Sequence, residues 1–346
     1  MKPMLKSGMH AVALGTAGGP LLRPDPGTGH RRGISTAIIV DGHTYLVDCG
    51  HGVGLGLAEA GVHPTSLRGI FITHQHSDHV IDLNSIMVLG GLGFRGTKNR
   101  KVPVFGPGDR EVLPLVQASI DEPEIIFPQM PTPGTSAMVN LLLRAHATDL
   151  NDRRRDSAAP DISNIFHGVD IELPAGIGFD PNVNNHPDME PFEIYSDEHI
   201  KVSAVLVQHQ PIAPAFAFRF DSKYGSVVVS GDTAPSANLA RLSQGCDLLF
   251  HEAIDIEAIA RSYPDASPSE LAASMGHHRR AHTTPEEAGR IAEQAQAANL
   301  ALHHLVPAGS AMEVWQRALQ HFSGTLFVPC DLDVFQVAHG AVSLVR

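Results

Sequence analysis

The stretch Phe71-Ile72-Thr73-His74-Gln75-His76-Ser77-Asp78-His79 constrains this chain more than any other. The apolar run Ile70-Phe71-Ile72 leads into four ligand-type side chains, His74, His76, Asp78 and His79. Extended residues two apart face the same way, so His74 and His76 can ligate one ion together. Asp78 and His79 follow where the chain turns into a predicted helix over 80–89, and they point to a neighbouring position. Imidazole nitrogen beside carboxylate oxygen suits Zn²⁺, and also Mn²⁺ or Fe²⁺. The competing reading is a polar strand end without metal, and the density of ligand types weighs against it.

More ligand types sit at the ends of other apolar strands. His209 follows Val205-Leu206-Val207-Gln208, Asp232 follows Val227-Val228-Val229-Ser230-Gly231, and His304 follows Leu300-Ala301-Leu302-His303. An α/β fold gathers its site at such strand ends. Most of the other histidines among the chain's 21 have a plainer reading. His277 and His278 read as loop residues at the rim. His303 should point away from its neighbour His304. His146, His167 and His186 read as surface residues, and His51 has no evident role. Phe94 is a candidate for lining a pocket, whereas Phe216 and Phe218 read as core.

Short β-branched runs bounded by glycine recur along the chain, at 11–14, 36–40, 44–48, 69–73, 102–105, 200–208, 215–220, 226–230, 247–250, 300–303, 325–328 and 334–337. Asp41-Gly42 between the second and third is a hairpin signal. Helical patterns lie at 285–298, with Thr284 as cap and Pro285 in the first turn, and at 312–321. Hairpins followed by alternating strands and helices predict an α/β layered fold with mixed sheets. Residues 128–196, rich in Pro, Asn, Asp and Gly, read as an irregular insertion within one domain spanning 1–346.

Composition narrows the functional classes. The 346 residues can bury a real core, and no apolar run reaches the ~18 residues of a membrane span. Cys49, Cys246 and Cys330 are widely spaced, which argues against a disulfide framework. No leader segment is recognised, so a cytoplasmic setting is expected. The formal charge of −12 repels polyanions at long range. Two local basic clusters, 95–101 and 153–155, read as solvated loops.

The order His-x-His-x-Asp-His, then His209, then Ser230-Gly231-Asp232-Thr233, then His304 resembles the metallo-β-lactamase superfamily. The runs Leu14-Gly15-Thr16-Ala17-Gly18-Gly19, Leu248-Leu249-Phe250-His251-Glu252-Ala253 and His282-Thr283-Thr284-Pro285-Glu286-Glu287-Ala288-Gly289 look like its ribonuclease Z branch, which arylsulfatase-like members share. The resemblance implies an αββα sandwich of two mixed sheets and two metal ions at one edge. His74, His76 and His209 would hold the first ion. Asp78, His79 and His304 would hold the second, with Asp232 bridging and a bridging hydroxide as nucleophile. Asp48 would help organise the imidazoles. Asp78 counts among the catalytic residues as well. His282 would serve as general acid or oxyanion donor with Glu252 as its partner; the plain alternative makes both ordinary polar residues.

Substrate class is read from what the sequence lacks. The resemblance implies a long RNA-gripping arm between the third-motif histidine and the bridging aspartate. Here only 23 positions separate His209 from Asp232, and two strands and a turn fill them. With the acidic charge, this predicts a hydrolase of a small-molecule ester, lactone, sulfate ester or phosphodiester. Nucleic acid and membrane are not the expected partners, and a homodimer is an expected option. The alternatives are a ribonuclease Z-like endonuclease acting on tRNA 3′ ends and a non-catalytic metal-binding protein.

Overall fold

Asp41 and Gly42 both take positive φ, 50° and 81°, which is the tight turn that two β-branched runs separated by Asp-Gly predict. The computed structural model describes residues 3–19, 31–97, 99–116, 122–263, 265 and 267–345; Lys98 of the first basic cluster lies outside the described residues. The strands in chain order are β1 (Met9–Gly15), β2 (Ser35–Val40), β3 (His43–Val47), β4 (Leu67–Phe71), β5 (Val102–Gly106), β6 (Phe166–Asp170), β7 (Phe192–Ser196), β8 (Ile200–Leu206), β9 (Phe216–Ser222), β10 (Gly225–Val229), β11 (Leu248–Ile254), β12 (Asn299–Val306), β13 (Thr325–Phe327), β14 (Asp333–Ala338) and β15 (Ala341–Val345). They form two sheets, in the orders β15-β14-β1-β2-β3-β4-β5-β6 and β13-β12-β11-β10-β9-β8-β7. Both are mixed: β2 and β3 pair antiparallel with Val40 opposite His43, whereas β3 to β6 run parallel.

The inner faces of the two sheets share one apolar core. Phe71 of β4 lies at its centre, edge-on to Phe218 and Phe220 of the facing sheet and stacked on Phe105. Odd residues of β1 (Met9, Ala11, Ala13) face this core, while Val12 and Leu14 face a second core under the outer helices. That period of two is the signature of a sheet covered on both faces. Helices Val53–Glu59, Leu83–Gly91 and Thr135–Ala145 cover the first sheet, and Pro285–Gln294 covers the second through Ala288, Ile291 and Ala292. Phe94 is fully buried in the second core against Phe166, so its role is packing.

Two other expectations change. Residues 128–196 are not irregular throughout, because they contain helices Thr135–Ala145 and Ala147–Ser157 and strands β6 and β7. Helix Ala147–Ser157 buries no residue, so it has no apolar stripe for a sequence pattern to reveal. The helix at 285 is capped as predicted, with a full capping box between Thr284 and Glu287, but it ends at Gln294.

Asp197 ties the sheets together at one end. It accepts hydrogen bonds from Tyr45 Oη of β3 (2.7 and 2.9 Å) and from Tyr195 Oη of β7 (2.9 Å). Asp197→Ala leaves the buried Tyr45 hydroxyl unpaired and is expected to lower stability by about 1–3 kcal/mol, read by denaturant unfolding. Burial tends to raise the Asp197 pKa, but the hydrogen bonds from Tyr45, His199 and Tyr195 outweigh it, so the pKa is lowered. Its contribution is therefore present above the ordinary carboxylate range and lost as pH falls through the lowered value.

Candidate metal centre

The strand ends that the sequence marks converge at one edge of the sandwich. His74 and His76 follow β4, His79 lies in the short helix Ser77–Val80, His209 follows β8 and Asp232 follows β10. His304 differs from the expectation: it lies within β12, not after it. Between β11 and β12 the register slips, so that Glu252 faces His303 and Ala253 faces Leu305. His304 is the extra residue of that bulge, with φ of 48°, and the bulge re-aims its side chain to the edge. His303 keeps the opposite side, buried against Phe250.

Two groups of nitrogen and oxygen atoms result. His74 Nε2 and His209 Nε2 lie 3.0 and 3.1 Å from His76 Nδ1. Asp78, His79 and His304 form the second group, with His304 Nε2 at 3.3 Å from Asp78 Oδ2. Asp232 sits between them: Oδ2 is 3.9 Å from His74 Nε2, 3.7 Å from His209 Nε2 and 3.2 Å from His304 Nε2, while Oδ1 is 3.4 Å from His79 Nε2.

The surrounding hydrogen bonds fix which atoms face inward. His79 Nδ1–H donates to Asp48 Oδ2 (2.8 Å), and His209 Nδ1–H donates to the Ala281 carbonyl (2.8 Å). In the neutral rings the Nε2 atoms are then lone-pair acceptors. Asp48 is pinned by the Thr73 amide and hydroxyl, both at 2.8 Å, and holds φ of 56°, which a non-glycine residue keeps only where its surroundings enforce it. The Gly19 amide donates to Asp78 Oδ2 (2.9 Å). A Cβ on Gly18 would fall 2.3 Å from the His304 ring, so the Gly18-Gly19 pair brings backbone against the centre where a side chain would not fit. The sequence names neither Thr73 nor the Gly18 and Gly19 backbone as part of the site.

This arrangement fits a cation. His79 Nε2 and Asp232 Oδ1 are buried, face each other and have no hydrogen-bond partner. Two acceptors aimed at one another are stable only with a positive charge between them. Burial lowers the His79 pKa, but Asp232 and Asp48 outweigh it and hold it well above the imidazole range, so without a metal the charge between the two atoms is a proton on His79, which a bound ion would replace. Burial would also raise Asp232, yet His304 and His79 keep it well below the carboxylate range. Burial, reinforced by the neighbouring rings, lowers His74 well below its usual range. It also pulls His76 down to about 4. Neutral imidazoles are the form that ligates.

His282 and Glu252 stand beside this centre. Glu252, in β11, is fully buried, and His282 Nδ1–H donates to its carboxylate at 3.0 and 3.1 Å. Glu252 also accepts from the Thr233 amide (2.6 Å), the residue after Asp232. Burial lowers the His282 pKa, but the Glu252 charge and hydrogen bond, with Asp232, raise it to about 9. The plain alternative of a solvated Glu252 is thus excluded by its burial. His277 and His278 lie in the helix Pro268–Ala281, not in a loop. His51 is exposed, and nothing in the structure explains it.

Comparison with known proteins places the fold and the family. The family profile of the Anti-Pycsar protein Apyc1 matches residues 34–100, less than half of the chain. A Ribonuclease Z of Mycobacterium avium is 30% identical over 332 residues, covering 95% of this chain and 98% of the relative. Among solved structures, the short form of human tRNase Z superposes with a TM-score of 0.58 at 18% identity, covering 94% of this chain and 98% of that one. The metallo-β-lactamase fold protein YhfI from Bacillus subtilis superposes at 0.57 with 17% identity, covering 94% and 98%. The two sheets flanked by helices are therefore a metallo-β-lactamase fold. The first finding also corrects the expected partner: a relative spanning nearly the whole chain is a ribonuclease, which overturns the expectation of a small-molecule substrate with nucleic acid set aside. Net charge and a short 209–232 interval were poor guides, because long-range repulsion is screened within about 8–10 Å by salt.

Proposed function

The chain belongs to the ribonuclease Z family of metallo-β-lactamase-fold hydrolases, and from that premise we propose that it is a metal-dependent phosphodiesterase cleaving the 3′ side of precursor tRNA. The observation that carries the reading is the His282–Glu252 pair, buried beside two groups of ligand-type atoms that share Asp232. In this reading His74, His76 and His209 hold one divalent ion. Asp78, His79 and His304 hold the other, and Asp232 contacts both. Zinc suits the imidazole-rich donor set best. Ions held there would supply Lewis acidity to a phosphodiester and acidify water.

The chain's own residues account for the rest. Asp48 and the Ala281 carbonyl orient His79 and His209 by taking their Nδ1 protons. Glu252 occupies His282 Nδ1, which leaves Nε2 as the nitrogen that reaches a substrate. As the phosphorus–oxygen bond breaks, the departing oxygen takes a proton from His282 Nε2, and Glu252 stabilises the imidazolium before that transfer. The reading takes 1–346 as one catalytic unit, since the site draws on both sheets. Three free cysteines and the absence, among the described residues, of a helix long and apolar enough to cross a membrane fit action in the cytoplasm.

The test is cleavage of a precursor tRNA carrying a 3′ trailer by metal-loaded protein. One cut at the trailer junction, absent in His74→Ala, is expected. Hydrolysis of simple chromogenic phosphodiesters without cleavage of the precursor would sink the tRNA assignment and leave only the hydrolase.

A further inference from the structure

A second group of imidazoles lies outside the ligand set just assigned. His277, His278 and His282 each offer a ring nitrogen, and those three atoms lie within 4.8 Å of one another. The His282 amide donates to the His278 carbonyl at 3.0 Å, which carries the last turn of helix Pro268–Ala281 through His282. His278 and His282 are therefore an i, i+4 pair on one helical face, with ring centroids 6.0 Å apart and the His277 centroid 5.4 Å from that of His278. His278 Nδ1 is buried and has no hydrogen-bond partner. The cluster contains no carboxylate.

We propose that His277, His278 and His282 form a separate site for a third divalent ion of the zinc class, and that its occupation inhibits the enzyme by replacing the proton on His282 Nε2. Zinc–nitrogen bonds of ~2.0–2.1 Å draw tetrahedral ligands to ~3.3 Å apart, a small contraction for side chains at a helix end. Three imidazoles without carboxylate favour zinc, copper, nickel or cobalt over magnesium or calcium. Burial lowers the pKa of both His277 and His278, the latter to about 4, so both rings are neutral and able to ligate. Nδ1 of His282 is committed to Glu252. The ion therefore takes Nε2, the nitrogen that would protonate the leaving group. It competes with a proton there and lacks anionic ligands, so it binds more weakly than the pair at Asp232. The inhibitory part of this inference rests on the proposed proton role of His282; the binding part does not.

Equilibrium dialysis against zinc with elemental analysis tests the binding, using holoenzyme, His277→Ala/His278→Ala and His277→Gln/His278→Gln. Wild type is expected to take up one further, weaker equivalent above its tightly held metal. Both double variants are expected to keep the tight metal and lose the weak equivalent, with affinity falling by more than ~10-fold. Zinc excess should inhibit precursor cleavage by wild type, with the half-maximal concentration raised by a similar factor in both variants. A weak equivalent that survives in the glutamine variant, or one absent from wild type, overturns the site. Failure to hold tight metal, with the weak equivalent still sensitive to both double variants, would instead strike the centre at Asp232 and leave this site standing.

Discussion

Asp232→Ala is expected to strip the centre of metal and bring hydrolysis to the background rate. Asp232 is the only side chain whose two oxygens face both ligand groups among the described residues, at 3.2–3.9 Å from His74, His79, His209 and His304. Removing it deprives both proposed ions of an anionic ligand at once. The loss should exceed the ~10²–10³-fold typical of one deleted electrostatic donor. Elemental analysis of the variant should give well under two ions per chain, against a value near two for wild type. Asp232→Asn, of the same volume, separates charge from packing and should fail in the same way. Its circular dichroism spectrum should remain native, because the strands that present the ligands are fixed by the core around Phe71 and Phe218. A folded Asp232→Asn that keeps both ions and turns over substantially would place the bridge elsewhere.

His282→Ala should retain the tightly held ions and still lower turnover by ~10²- to 10⁴-fold, the usual range for a lost general acid. The loss should shrink for a phosphodiester whose leaving group needs no proton, such as a nitrophenolate. The pH profile carries the sign. The His282 pKa is raised from 6.5 to about 9, so the proton-donating form is present below that value and disappears above it. Turnover should therefore fall on the alkaline side. In Glu252→Gln the largest raising influence is gone while burial still lowers the pKa, so the alkaline limb should move to lower pH. Bound cations counter the share that comes from Asp232 and leave the share of Glu252 in place. Loss of metal in His282→Ala, or an alkaline limb that Glu252→Gln does not move, would make the pair structural.

How far the sequence reaches can be seen residue by residue. The candidate ligands were legible because His74, His76, His209 and Asp232 follow apolar strands and Asp78 and His79 come within the next few residues, and strand period and ligand chemistry are local properties. The Asp41-Gly42 hairpin and the Thr284–Glu287 capping box were legible for the same reason: their hydrogen bonds close within a few residues. Helix Ala147–Ser157 was not, since it buries nothing and shows no apolar stripe.

The sequence by itself determined the alternation of strands and helices, the strand ends at His74, His209 and Asp232 that carry candidate ligands, and the family motif. Only the tertiary structure decided which atoms face one another. Glu252 and His282 are 30 residues apart and meet at 3.0 Å. Asp48 and His79 are 31 apart and meet at 2.8 Å. His304 and Asp78 lie 226 positions apart and come within 3.3 Å only because a bulge turns His304 to the shared edge. Contacts of that kind depend on sheet register and on two sheets packing through one core. The family motifs named Glu252 with His282 and Asp78 with His304, but no local pattern gives their geometry, because the free energy that fixes it comes from burial across the whole sandwich.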